Sequence, residues 1–111
     1  MAKQPKIKIS ERDLQASIIQ WLQAKKFFYY RQNTGVAKMG EEGRYVRFGN
    51  VGSPDIVVVR NGIYIGIEVK GTNTAWSLEQ KGFKEKLEDA GGTYILARRM
   101  EDVTEHIDLT K

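Results

Sequence analysis

The strongest fold signal in this chain lies in residues 52–70, Gly-Ser-Pro-Asp-Ile-Val-Val-Val-Arg-Asn-Gly-Ile-Tyr-Ile-Gly-Ile-Glu-Val-Lys. Its Asn61-Gly62 pair stands between two β-branched runs, which is a strong hairpin signal because both turn positions need a positive φ. A two-residue turn pairs residue 60 with residue 63, so that all cross-strand partners have numbers that sum to 123. Asp55 and Glu68 are then opposite each other, and opposite residues point to the same face of a strand pair.

Two facing carboxylates are unfavourable in a strand pair, because like charges directly opposite each other repel. A divalent cation between Asp55 and Glu68 would remove that cost, and carboxylate oxygens are the ligands that Mg²⁺ takes. Lys70 lies two residues beyond Glu68, so strand alternation places it on the same face. Its ammonium group there can activate a water molecule or stabilise charge on a phosphate. The alternative is a solvated charged edge with a Glu68–Lys70 pair.

The composition is that of one ordinary globular domain, with 111 residues of which 41% are hydrophobic. The absence of cysteine argues against disulfides and thiolate zinc sites. A formal charge of +4 suits a polyanionic partner, although excess lysine also serves solubility. We find no long apolar run and no signal-peptide pattern, and therefore expect a cytoplasmic protein that does not enter a membrane.

The chain divides into a basic N-terminal arm, residues 1–9, and a single domain, residues 10–111. The arm is either a frayed terminus or a phosphate contact. Ser10 begins a helix with an apolar stripe at Leu14, Ile18, Trp21 and Leu22. Glu11 extends this stripe by one turn, where its carboxylate either faces the sheet or stabilises the helix dipole.

Residues 27–32 predict an aromatic strand whose side chains belong to the core, and residues 56–59 predict a central strand buried on both faces. Residues 35–51 are rich in glycine and predict a flexible segment, with a short strand at 46–48. We expect the basic side chains of this segment, together with two polar residues after the hairpin, to contact nucleic acid: Lys38, Arg44, Arg47, Thr72 and Asn73. Ordinary surface loops are the alternative for both segments.

A second helix begins at Ser77, which forms a capping box with Gln80, and ends at Gly91-Gly92. Its lysines predict a solvated basic side. Residues 93–97 form a last strand, and the short helical or irregular tail that follows carries His106, expected at the surface. The order helix, strand, strand, strand, helix, strand predicts an α/β domain with one mixed sheet flanked by helices.

The combination of Pro54-Asp55 with Glu68-Val69-Lys70 resembles the motif of the PD-(D/E)XK nuclease superfamily. A wider set of segments, over roughly residues 10–107, is similar to the virus-type replication and repair nuclease (VRR-NUC) family: Ser10-Glu11, residues 30–35, Gly52-Ser53, residues 77–80 and Gly91-Gly92. The resemblance implies a restriction-endonuclease-like αβββαβ core.

The same resemblance implies roles for individual residues. Asp55 and Glu68 would bind Mg²⁺ or Mn²⁺ together with the Val69 carbonyl. Glu11 would reach the metal directly or through water, and Lys70 would orient the attacking water or stabilise the transition state. Gln80 would help to position the lysine or the phosphate. We expect that role to compete with helix capping, because both would use one side-chain rotamer.

The activity that follows from the resemblance is metal-dependent hydrolysis of DNA phosphodiester bonds, in DNA repair. The favoured substrate is branched or four-way (Holliday) junction DNA, cut by a homodimer, and stand-alone members of the family occur in phages and bacteria. One alternative is a monomeric nuclease that acts on flaps or nicks. Another, from a different functional class, is a non-catalytic DNA-binding module with the same fold.

Overall fold

The computed structural model describes residues 9–32, 35–39, 44–48, 52–72 and 74–109, with the main chain alone at 35–39, 44–48 and 108–109. The elements in chain order are α1 (Glu11–Ala24), β1 (Phe28–Arg31), β2 (Gly35–Met39), β3 (Arg44–Phe48), β4 (Ile56–Arg60), β5 (Ile63–Val69), α2 (Leu78–Asp89), β6 (Thr93–Ala97) and α3 (Met100–Leu109). None of the described helices is long and apolar enough to cross a membrane.

The main sheet has four strands in the order β1-β4-β5-β6. The pairs β1–β4 and β4–β5 are antiparallel, whereas β5 and β6 are parallel across the α2 connection. Strands β2 and β3 form a separate antiparallel pair. The predicted α/β class, with a mixed sheet flanked by helices, is confirmed. The elements that form or flank the four-stranded sheet come in the predicted order, and α3 follows them.

The predicted hairpin is confirmed in both its turn and its register. Asn61 and Gly62 have φ values of 52° and 78°, as a two-residue turn between twisted strands requires. Ile56 pairs with Ile67 and the ladder continues to the turn with every pair summing to 123. The next pair outward along this register is therefore Asp55 with Glu68.

The helix starts follow from local chemistry, as predicted. The Ser10 hydroxyl accepts a hydrogen bond from the Asp13 N–H at 3.1 Å and begins α1. The Ser77 hydroxyl accepts from the Gln80 N–H at 3.2 Å, while the Gln80 side-chain oxygen accepts from the Ser77 N–H at 3.0 Å. This is a complete capping box. Gly91, with a φ of 93°, ends α2.

The core lies on one face of the four-stranded sheet, where α1 and α3 pack side by side. It is built from buried aliphatic side chains of both helices and of β4, β5 and β6: Leu14, Ile18, Leu22, Ile56, Val58, Ile65, Ile67, Val69, Ile95, Ala97, Val103 and Ile107. Helix α2 packs on the opposite face, where its Phe83 contacts Tyr94 of β6. The tail predicted as short helical or irregular is thus a full helix that completes the core.

Two predictions about local structure need correction. The stretch 35–51 contains the strand pair β2–β3 rather than only a flexible segment, and the expected short strand at 46–48 is the end of β3. Glycine content predicts flexibility, but pairing with a partner strand supplies main-chain hydrogen bonds that composition does not reveal. The arm at residues 1–8 lies outside the described residues.

The aromatic residues at 27–30, in and directly before β1, are only partly in the core. Phe27 and Tyr29 pack against it, whereas Phe28 and Tyr30 are 67% and 44% exposed. The physical reason is that β1 is the edge strand, and strand alternation turns every second side chain away from the α1–α3 layer. Val59 of β4 pairs with Phe28 and therefore points to the same face, away from the α1–α3 layer, where it remains 37% exposed instead of buried.

Candidate active site

Asp55 and Glu68 come together where β4 begins and β5 ends. The Gln32 N–H donates to the Asp55 carbonyl at 2.8 Å, which extends the β1–β4 ladder to this residue. The Val69 N–H donates to Oδ2 of Asp55 at 2.9 Å, so the main chain of β5 fixes the direction of the carboxylate. The two acids therefore share one end of the hairpin, as the turn register predicts.

Glu68 is the more buried of the two acids, with 6% of its surface exposed. Its Oε1 accepts a hydrogen bond of 2.7 Å from Nε2 of Gln80. Its Oε2 is buried and makes no hydrogen bond of ordinary geometry among the described residues, although the Asp55 N–H is near enough to the carboxyl group to lower its pKa. A buried carboxylate oxygen without a well-placed donor is costly, and such atoms commonly mark the position of a bound ion or water. This oxygen is therefore available as a ligand.

Both carboxyl groups hold their protons more tightly than ordinary acids. Burial, followed by the negative charge of Asp55, raises the pKa of Glu68 to about 8, against the opposing effect of Lys70. Burial also raises the pKa of Asp55, against the effect of the Val69 N–H. For Glu68, burial and the negative charge of Asp55 outweigh the relief from Lys70; for Asp55, burial and the negative charge of Glu11 outweigh the relief from the Val69 N–H, Lys70 and Arg31. A bound cation would relieve both carboxylates.

Glu11 reaches the site from the first turn of α1. Its Oε1 accepts from the Gly71 N–H at 2.8 Å, directly after Lys70, and its charge raises the pKa values of Asp55 and Glu68. The carboxylate thus faces the sheet, the first of the two predicted alternatives. Among the described residues, no group of three or more His, Cys, Asp or Glu side chains is arranged to hold a metal ion. Direct binding of a metal by Glu11 together with both other acids is therefore not seen.

Gln80 caps α2 as predicted and also contacts Glu68, while its expected role in positioning the lysine or the phosphate stays a prediction. Its side-chain oxygen accepts from the Ser77 N–H, while its amide nitrogen donates to Oε1 of Glu68. A carboxamide presents an acceptor and a donor in opposite directions, so one rotamer caps α2 and holds the carboxylate. The start of α2 is thereby tied to the end of β5.

Arg98 supports the loop beside the site, a role that the sequence analysis does not predict. Its guanidinium donates to the carbonyls of Gly71 at 2.7 Å and Thr74 at 2.9 Å, and thus holds the loop that follows Lys70. Oδ2 of Asp102 accepts a hydrogen bond from the Arg98 N–H at 2.9 Å, which ties the main chain of Arg98 to the first turn of α3. The sequence contains no signal for this contact, because 27 residues separate Arg98 from Gly71.

Tyr94 and Trp76 lie behind Glu68 and were also missed. The Tyr94 hydroxyl is buried, and burial followed by the charge of Glu68 raises its pKa. The Trp76 ring lies 6.1 Å from the Tyr94 ring, centroid to centroid. The indole nitrogen and the hydroxyl oxygen are buried, and neither makes a hydrogen bond of ordinary geometry in the described part of the chain, although Trp76 is near enough to lower the pKa of Tyr94. Strand alternation could have found Tyr94, since it pairs with Gly66 on the acid-bearing face.

The structure thus brings Glu11, Asp55, Glu68, Lys70 and Gln80 together, and Arg31 adds a positive charge near Asp55. The predicted nucleic-acid contacts stay predictions, because most of their side chains lie outside what the structure describes. Lys38, Arg44 and Arg47 lie in β2 and β3, where only the main chain is described; Thr72 is exposed; and Asn73 lies outside the described residues. His106 is exposed on α3, as expected.

Comparisons of this chain with models of known protein families, with curated proteins and with solved structures found no match. The chemical interpretation of the site therefore depends on its own side chains.

Proposed function

We propose that this chain is a metal-dependent endonuclease that hydrolyses DNA phosphodiester bonds, with the αβββαβ core of the PD-(D/E)XK superfamily and a place in the VRR-NUC family. One observation carries the proposal. Asp55 and Glu68 are held side by side at one end of the hairpin, each with one oxygen fixed by a donor, and Lys70 is close enough to act on both pKa values.

The donor set suits a hard divalent cation. Oε2 of Glu68 makes no hydrogen bond of ordinary geometry among the described residues, Asp55 keeps one oxygen free of the Val69 contact, and the Val69 carbonyl follows directly. Carboxylate and carbonyl oxygens are ligands of Mg²⁺ and Mn²⁺. When bound, the cation would neutralise charge on a phosphate oxygen and lower the pKa of a water molecule.

The protein's own groups account for the remaining chemistry. Lys70 Nζ donates a hydrogen bond to the attacking water or to a non-bridging phosphate oxygen, where negative charge develops. Gln80 and the Val69 N–H keep the two carboxylates from turning away. Glu11 and Arg98 hold the two main-chain sides of Gly71, its N–H and its carbonyl, so that the residue after Lys70 has a defined position.

The substrate proposal is DNA, supported by the formal charge of +4. Recognition of a branched or four-way junction by a homodimer comes from the family resemblance. Two-fold symmetry of a dimer would match the symmetry of a junction, and substrate shape would matter more than base sequence.

The test is to incubate the purified chain with junction, flap and linear DNA in Mg²⁺, Mn²⁺ or EDTA. We expect cleavage only with metal, a decrease of about 10²-fold or more in Asp55→Asn, Glu68→Gln and Lys70→Ala, and DNA binding within a few-fold of wild type. Glu105→Gln, an exposed acid on α3, is the control and should cleave normally.

Each alternative has its own result in this experiment. If Asp55→Asn cleaves DNA at the wild-type rate, the assignment of the site is wrong. Cleavage of flaps by a monomer, with junctions left intact, would support the flap nuclease instead. Binding without cleavage in either metal would support the non-catalytic module.

A further inference from the structure

Two lysines of α2 converge on one tryptophan ring. The ammonium nitrogens of Lys81 and Lys84 lie 5.8 Å and 5.5 Å from the centroid of the Trp76 ring. Positions 81 and 84 are three residues apart and therefore share a face of the helix. Two ammonium groups on one helix face repel each other, and attraction to the negative ring face offsets part of that repulsion.

These two charges are largely unneutralised. Among the residues that the structure describes, Lys81 forms no ion pair. Lys84 has a single contact of 3.9 Å with Glu88, whose side chain is 47% exposed. An exposed pair at that distance contributes little, so the ammonium stays available to another anion. The surface formed by Trp76, Lys81 and Lys84 therefore carries an excess of positive charge; we refer to it as the Trp76 patch.

The Trp76 patch adjoins the candidate active site. Lys81 directly follows Gln80, whose amide nitrogen contacts Glu68. The Trp76 ring contacts the Tyr94 ring, and Tyr94 lies on the acid-bearing face of the sheet. From Gln80 to Lys84 the helix advances by about 6 Å. A strand whose phosphate lies at the carboxylates can thus place its next phosphates along the first turns of α2.

We propose that the Trp76 patch binds the phosphate backbone of the DNA substrate on one side of the phosphate to be cleaved. The occupant is inferred from charge complementarity, and the inference rests on the proposed function in taking DNA as the substrate. The indole ring holds the two ammonium groups at the surface in the free protein. Phosphate oxygens then draw them away from the ring when DNA binds.

The test measures binding of a labelled four-way junction in EDTA, where no cleavage occurs, over a series of salt concentrations. A phosphate contact by lysine contributes about one to the slope of log affinity against log salt. The slope of log affinity against log salt should therefore be less steep by about two in K81Q/K84Q. The affinity of this variant should also be lower by roughly tenfold or more at 0.1 M salt. K81R/K84R keeps both charges and should bind within a few-fold of wild type.

The matched control is K86Q, which removes one lysine from the same helix. Lys86 is exposed, and it lies two and five positions from the two patch lysines, so it points to another side of α2. We expect K86Q to retain nearly the wild-type affinity. An equal loss in K86Q and in either single patch variant would show that only the total charge matters, and would overturn the proposal.

A second readout follows Trp76 itself. The chain contains two tryptophans, so W21F leaves Trp76 as the only one. Addition of DNA to W21F should change the indole emission, because two charges move away from the ring, and W21F/K81Q/K84Q should lose this response. An unchanged emission in W21F at saturating DNA would also overturn the proposal.

The two proposals can fail separately. Binding that depends on the patch without cleavage in any metal would reject the nuclease and keep the patch. Metal-dependent cleavage with wild-type affinity in K81Q/K84Q would reject the patch and keep the nuclease.

Discussion

Gln80 joins the helix cap and the candidate active site through the two ends of one carboxamide. Its oxygen accepts from the Ser77 N–H, and its nitrogen donates to Glu68. Ser77 contributes only to the cap, through its hydroxyl and main-chain N–H. Comparing substitutions at Ser77 and Gln80 therefore distinguishes the contribution of the helix cap from that of the contact with Glu68.

We predict that Ser77→Ala and Gln80→Ala each lower the free energy of unfolding by about 1 kcal/mol, through loss of a capping bond. Only Gln80→Ala should also slow metal-dependent cleavage, by roughly tenfold or more, because Glu68 loses its donor. Urea unfolding and single-turnover cleavage measure the two effects. Equal rates in the two variants would mean that the contact with Glu68 has no part in catalysis.

Glu68 makes stability depend on pH. Its pKa is about 8 in the folded chain, above the ordinary value of 4.5. Between these values the folded state keeps a proton that the unfolded chain has lost. The contribution to stability is therefore complete below about pH 4.5, decreases as the pH rises, and is lost above about pH 8. The raised pKa of Asp55 acts in the same direction.

We predict that the thermal midpoint in EDTA falls from pH 5 to pH 8 in the wild type, and falls less in Glu68→Gln. Mg²⁺ should raise the wild-type midpoint more at pH 8 than at pH 5, because a cation binds the deprotonated carboxylate. Thermal unfolding followed by circular dichroism measures both. His106 and the other ionisable groups are common to the two proteins, so the difference isolates Glu68. Identical pH profiles would contradict the assignment.

At the scale of elements, the hairpin and α2 meet where Gly52 passes the start of the helix. Gly52 has a φ of 82°, and a Cβ atom there would collide with the Glu79 carbonyl oxygen. Gly62, in the hairpin turn, has a nearly equal φ of 78° but nothing within 4 Å of its missing Cβ. Alanine at Gly62 would therefore add backbone strain alone, whereas alanine at Gly52 would add the same strain and a collision with α2.

We predict that Gly62→Ala lowers the free energy of unfolding by about 1 kcal/mol, the cost of a left-handed conformation. Gly52→Ala should cost roughly 2 to 4 kcal/mol, because strain and a main-chain collision add. It should also displace the neighbouring Pro54-Asp55. Urea titrations measure the free energy of unfolding of both variants. Equal losses in the two variants would mean that α2 does not pack closely on the segment around Gly52.

At the scale of the whole molecule, α3 completes the core rather than trailing from it. Val103 and Ile107 are fully buried beside α1 and the sheet. The sequence predicts this tail only as helical or irregular, since the contacts that bury it come from elements distant in the chain. The closing helix also provides Asp102, which fixes the main chain of Arg98.

We predict that Ile107→Ala lowers the free energy of unfolding by about 2 to 5 kcal/mol, as truncation of a fully buried side chain does. Glu105→Ala, on the exposed side of the same helix, should change it by less than about 0.5 kcal/mol. Chemical denaturation followed by intrinsic fluorescence measures both. A small effect of Ile107→Ala would show that the domain folds without α3.

The features that depend on a few neighbouring residues follow from the sequence alone: the turn at Asn61-Gly62, the register that sets Asp55 beside Glu68, the Ser10 cap of α1 and the capping box of α2. Backbone sterics and capping act over two to four positions, so their patterns can be read directly. The contact of Gln80 with Glu68, the hydrogen bond from Arg98 to Gly71 and the exposure of Phe28 are visible only in the folded chain. Those depend on how distant elements are placed, and hydrophobic periodicity specifies the buried face of an element but not the side chain it meets there.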